Sequence, residues 1–186
     1  MIGALPTSLQ AGGVMHPIRS DYRVVLRIFE AFADPDLTDE EKAYVCLQCL
    51  YEEPEAIPAE HLEEAIRQAF WFCDGGDMPK TEPEKIRTMD WKHDESILFP
   101  AVSKAAGFEV RSCAYLHWWV FLGYFGEVGE GLFSTVMHIR QKRARRKPLE
   151  KWETEFFRRN KALVELRTAE EQAAIDETEA LLREIL

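Results

Sequence analysis

Apolar residues along this chain recur mostly at helical spacing. Behind the start signal at Ser20 and Asp21, residues Tyr22, Val25, Leu26, Phe29 and Phe32 fall on one face, which predicts a helix ending near Asp34-Pro35. Thr38 followed by Glu41 has the spacing of a capping box, and Tyr44, Val45, Leu47 and Leu50 give the helix behind it an apolar face. Pro58 suits the first turn of a third helix, whose stripe is Leu62, Ile66, Ala69, Phe70 and Cys73 and whose end is Gly75-Gly76. Residues 7–18 depart from this rhythm. They alternate weakly about Gly12-Gly13, a pair that supplies the positive φ of a tight turn, and predict a small β-hairpin.

Residues 75–88 hold two glycines, Pro79, Pro83 and scattered charge without apolar period, and read as a linker. A fourth helix is expected from Asp90, carrying Trp91, Ile97, Leu98 and Val102 and ending at Gly107, with Pro100 expected to kink or break it. Ser112 to Phe125 is apolar nearly all round, as in a helix surrounded by others, and marks the centre of the fold. After Gly126, Gly129 and Gly131 comes a helix containing Leu132, Phe133, Val136, Met137 and Ile139, and Pro148 marks a corner. From Leu149 to Leu186, residues Trp152, Phe156, Leu163, Leu166, Ile175, Leu181, Leu182 and Ile185 stand on a charged background, as in one or two exposed amphipathic helices. The pattern is that of an all-α protein with a small N-terminal β-hairpin: a helical core over 1–148, and exposed helices over 149–186.

Composition narrows the class. With 186 residues, 46% hydrophobic and 30% charged, the chain is long enough for one domain to bury a core without a disulfide or metal staple. The net charge of −10 disfavours nucleic acid and anionic lipid as generic partners. Four irregularly spaced cysteines suit a reduced compartment better than a secreted framework. The first residues lack a signal-peptide pattern, and the apolar run Tyr115 to Phe125 is about half a bilayer span, so a cytoplasmic protein is expected. Charge is unevenly placed. Between Arg140 and Lys161 ten basic residues meet three acidic ones, while from Glu165 onward seven acids oppose Arg167 and Arg183.

The motifs that carry chemistry elsewhere read as architecture here. Cys46-Leu47-Gln48-Cys49 lies inside a predicted helix, where two small apolar residues share one face; a zinc site with Cys73 and His61, or redox chemistry, are the alternatives. His93-Asp94-Glu95 makes no HExxH and reads as a solvated charged face. His117 with Trp118 and Trp119 reads as a hydrogen-bonded core histidine beside two packed rings, against a stacking pocket. The glycines from Gly123 to Gly131 fit no phosphate-binding pattern. Gln141 to Lys147 is the one strongly basic run. It suits a helix carboxyl end, an acidic protein partner, or a phosphate backbone. No catalytic residue, metal ligand or cofactor site emerges. A surface for a protein partner is expected from Arg140, Lys142, Arg143, Arg145, Arg146, Trp152, Phe156 and Leu163.

The opening Met1-Ile2-Gly3-Ala4-Leu5-Pro6-Thr7-Ser8-Leu9 resembles the start of the bacteriophage gene-product-fifteen family. So do Val25 to Phe32, Met89-Asp90-Trp91, Tyr115-Leu116-His117-Trp118-Trp119, Phe121 to Phe125 and Lys151-Trp152-Glu153, and the resemblance extends to about residue 165. That family occurs in long-tailed phages and prophages of Gram-positive bacteria, typically beside the tape-measure gene. The resemblance therefore implies a tail assembly chaperone and assigns no catalytic residues; its expected partners are the tape-measure protein and other tail assembly proteins, with a homo-oligomer as a further expectation. A structural virion component, or a small regulatory protein binding nucleic acid through residues 140–147, are the rival expectations.

Overall fold

The computed structural model describes residues 3–76 and 88–166, so most of the expected linker over 75–88, and the part of the expected amphipathic stretch 149–186 beyond Leu166, lie outside the described residues. Two strands, β1 (Ser8–Ala11) and β2 (Val14–Pro17), pair antiparallel with Ala11 opposite Val14. The connecting Gly12 and Gly13 have φ of 59° and 79°, the left-handed pair that a two-residue hairpin turn requires. Eight α-helices follow among the described residues: α1 (Tyr22–Ala33), α2 (Asp39–Leu50), α3 (Leu62–Cys73), α4 (Glu95–Ala106), α5 (Trp118–Gly126), α6 (Leu132–Ala144), α7 (Lys151–Arg159) and α8 (Lys161–Val164). The fold is thus helical with a small amino-terminal hairpin.

The chain forms two compact units, residues 1–84 with 99–129 and residues 85–98 with 130–186. The turn before α4 thus belongs with α6, α7 and α8.

In the first unit, α1, α2 and α3 pack in sequence and β1 rests against α3. Local signals fix the helix ends. The Asp21 carboxylate accepts from the Arg23 amide and opens α1. Thr38 and Glu41 cap α2 reciprocally. A 3-10 turn over Ala59–His61 leads into α3, so the α-helix starts four residues after Pro58. The core is a run of aromatic rings. Tyr22 stacks on Phe121 with centroids 4.7 Å apart, Trp118 packs on Phe121 and Phe29, and Phe99 meets Tyr22 and Phe121 edge-on.

Two expected boundaries are corrected. The central helix starts at Trp118, not Ser112, because long-range partners hold the chain before it extended. Leu116 donates its amide to Asp21, Tyr22 donates to the Leu116 carbonyl, and Trp118 donates to the Ser20 carbonyl. His117 then caps α5 through Nδ1, which accepts from the Trp119 amide, while Nε2 lies 2.9 Å from the Pro6 carbonyl. The indole N–H groups of Trp118 and Trp119 donate to the carbonyls of Cys73 and Phe72, two of the last carbonyls of α3. The fourth helix starts at Glu95, not Asp90, and runs through Pro100 without a break. Residues Asp90 to Asp94 form a turn instead, in which the Asp90 carboxylate accepts from the His93 amide and the Asp94 carboxylate from the Asp90 amide.

Candidate protein-interaction surface

The second unit is organised around Arg140 on α6. Phe133, Val136, Ile139 and Arg140 form the buried face of that helix. A guanidinium there is tolerable only if every donor is satisfied. All five are. Nη1 and Nη2 reach the two oxygens of Asp94 at 2.6 and 2.7 Å, and the remaining donors reach the carbonyls of Thr88, Leu163 and Val164. Asp94 is fully buried and Arg140 is 5% exposed. The reading of His93-Asp94-Glu95 as a solvated charged face is corrected at Asp94, and Arg140 is not on the surface expected to meet a partner.

A second buried carboxylate lies on α7. Glu153 is three residues past Glu150, and its Oε2 accepts from the Glu150 amide to cap the helix. Its Oε1 takes the Lys142 ammonium at 2.6 Å and lies 3.1 Å from Nε2 of half-exposed His138. The hydrogen bond from Lys142 holds the Glu153 carboxyl below its ordinary range, against the opposing effect of burial. Lys142 is therefore mostly engaged inside the unit. Glu153 was not singled out in the sequence, although the Glu150/Glu153 spacing at a helix start was a usable signal.

The remaining predicted residues face outward to different degrees. Arg143 lies over the Phe157 ring at 4.0 Å, pairs with Glu165 and is partly exposed. Arg145 and Arg146 are exposed where α6 ends. Trp152 is 51% exposed, with its indole N–H donated to Glu150. Phe156 and Leu163 are half-buried. The exposed part of the expected surface is thus Arg143, Arg145, Arg146 and Trp152; Lys147, Lys151 and Arg158, outside the expected set, are exposed as well.

The α6 terminus is unusual. Lys147 donates to the Lys142 carbonyl and Arg146 to the Arg143 carbonyl, the paired bonds of a Schellman ending. The position that glycine ordinarily fills is Arg146, with φ of 55°.

Other motifs take structural places. Cys46 and Cys73 are buried with their thiols hydrogen-bonded, which together with burial pushes Cys73 upward. Cys49 is half-buried, and His61 lies against Gly12. Among the described residues no group of three His, Cys, Asp or Glu side chains is arranged to hold a metal ion, and no helix is long and apolar enough to cross a membrane.

These elements define a helical protein whose buried charges serve its own architecture and whose outward basic face is carried by the end of α6 and by α7. The chain belongs to the bacteriophage Gp15 protein family, whose model matches residues 1–166. It is a phage structural or assembly-related protein, of a family not known as enzymatic. No curated protein and no solved structure matches the chain.

Proposed function

We propose that this protein is a tail assembly chaperone that binds the tape-measure protein in the host cytoplasm during tail morphogenesis, without catalysis, and leaves before the virion is complete. The observation that carries this reading is Trp152, a large aromatic half exposed on α7 with its polar edge already bonded, in a unit whose α6 end exposes Arg143, Arg145 and Arg146. Such an anchor offers apolar contact area at low entropic cost and is the kind of side chain on which partner binding concentrates. Phe156 and Leu163, of the same unit, are half-buried, and Lys142 joins the surface by its exposed fifth. The net charge of −10 keeps a complex with a long apolar partner in solution.

Co-expression with the tape-measure protein encoded beside it tests this. The tape-measure protein is expected to become soluble and co-elute with the wild type, and to lose both properties with Trp152→Ala. Mass spectrometry of purified virions is expected to find the chain absent. Its presence at stoichiometric level would make it a structural tail component instead.

A further inference from the structure

The outward basic face has a counterpart in the same chain. Residues 34–64 contain eleven acids against Lys42 alone, a net of −10. Part of this charge sits on the connection between α2 and α3, where Glu52, Glu53, Glu55 and Glu60 are exposed. None of these four has an ion-pair partner among the described residues. The nearby Arg19 guanidinium is held by the carbonyls of Gln48, Cys49, Tyr51 and Glu52, which leaves the carboxylates themselves open. On the other side, Arg146, Lys147, Lys151 and Arg158 are exposed and likewise make no ion pair among the described residues, whereas Arg143, Arg159 and Lys161 are paired within their own unit.

Arg146 adds an argument that charge alone does not supply. A left-handed φ at an arginine costs about 1 kcal/mol relative to glycine, and no hydrogen bond or ion pair of its side chain among the described residues offsets that cost. Local strain without an internal gain points to use of the side chain outside the molecule. A net charge of −10 repels a polyanion such as nucleic acid, so a local carboxylate patch is the better counterpart for the basic face.

We infer that the basic face formed by Arg146, Lys147, Lys151 and Arg158 docks on the acidic α2–α3 connection of a second copy of this chain. The two patches differ, so the contact is heterologous: each copy has one donor and one acceptor face, and copies add head to tail into a ring or an open chain. Attraction between exposed charges is screened by salt, so the association is strong at low ionic strength and weak at high. The self-association stands independently of the chaperone reading. If both hold, the second copy and the tape-measure protein compete for the α6–α7 face.

Sedimentation velocity of the full chain tests this with two charge-reversed variants, K147E/K151E/R158E and E52K/E53K/E55K. The wild type should associate at low salt and dissociate at high salt. Each variant alone should associate about tenfold more weakly or worse, and an equimolar mixture of the two should recover association, since each then carries the face the other lacks. Circular dichroism checks that both variants fold, and the neutral set K147Q/K151Q/R158Q replaces a reversed one that does not. A wild type that is monomeric at low salt overturns the inference. So does loss with the basic variant but not the acidic one, which would mark another partner for the basic face. Salt-dependent binding of a DNA oligonucleotide to the wild type, without self-association, would assign that face to nucleic acid. Tape-measure binding that persists in both variants would leave the chaperone reading intact and remove the competition.

Discussion

Arg140 and Asp94, 46 residues apart in sequence, meet in a two-pronged ion pair of 2.6 and 2.7 Å inside the second unit, and the same guanidinium binds the carbonyls of Leu163, Val164 and Thr88. A single side chain thereby joins α6, the turn before α4 and the end of α8. Asp94→Ala leaves a buried guanidinium uncompensated and should cost about 3–5 kcal/mol in denaturant unfolding. Arg140→Lys should cost nearly as much, because an ammonium cannot present five donors in a planar fork. A loss below about 1 kcal/mol in either variant would mean that water enters the site.

The second prediction concerns His16, which faces the first unit's core on β2 at 7% exposure, with Nε2 buried and unpartnered among the described residues. Its ring meets Tyr51 edge-on at 6.3 Å. A buried polar atom without a partner is a net cost, so His16→Leu should raise stability by about 1 kcal/mol. A lower denaturant midpoint would show that Nε2 has a partner in solution.

Gly12 should tolerate no side chain. A Cβ there would lie 2.2 Å from Cδ2 of His61 at a φ of +59°, and its amide donates to Glu64. Gly12→Ala should destabilise by more than 1 kcal/mol, above the about 1 kcal/mol expected of strain alone at Gly13→Ala, whose Cβ meets nothing. Thermal melts of both variants, and of Gly12→Ala with His61→Ala, separate clash from strain.

Arg146→Gly should stabilise the end of α6 by about 0.5–1 kcal/mol while removing a charge from the basic face. Arg146→Ala removes the same charge and keeps the strain. Chemical denaturation of the pair therefore isolates the backbone contribution, and equal stability of the two would place no strain at that residue.

The pH dependence has a definite sign at Glu109, whose carboxylate accepts from the Arg111 guanidinium at 2.7 and 3.0 Å and from its amide. These bonds hold it down to about 2. A depressed carboxyl contributes stability above its unfolded value of 4.5 and loses it as pH falls toward 2. Glu109→Gln should therefore flatten the melting temperature's fall over that window. The effect should be small, since both partners are nearly half exposed to solvent screening. An unchanged slope would remove Glu109 from the acid response.

What could be read from the sequence was what short segments decide among themselves. Thr38 and Glu41 are three residues apart, and the Gly12-Gly13 pair fixes its own turn, so both followed from local chemistry. The start of α5 depends on Asp21 and Ser20, nearly a hundred residues earlier, and no window around Ser112 contains that information. The same distance hid the surface. Arg140 looked like one more cation in a basic run until Asp94 turned it inward, and nothing near Arg146 foretold its left-handed backbone.

The bonds that close the first unit also set a schedule for its synthesis. Pro6, Ser20, Asp21 and Tyr22 find their partners at Leu116, His117 and Trp118. At about 5–20 residues per second, the hairpin and the start of α1 wait several seconds for α5 to leave the ribosome. During that interval Tyr22 and Phe29 lack the rings that later cover them, so the apolar face of α1 is left open until α5 arrives.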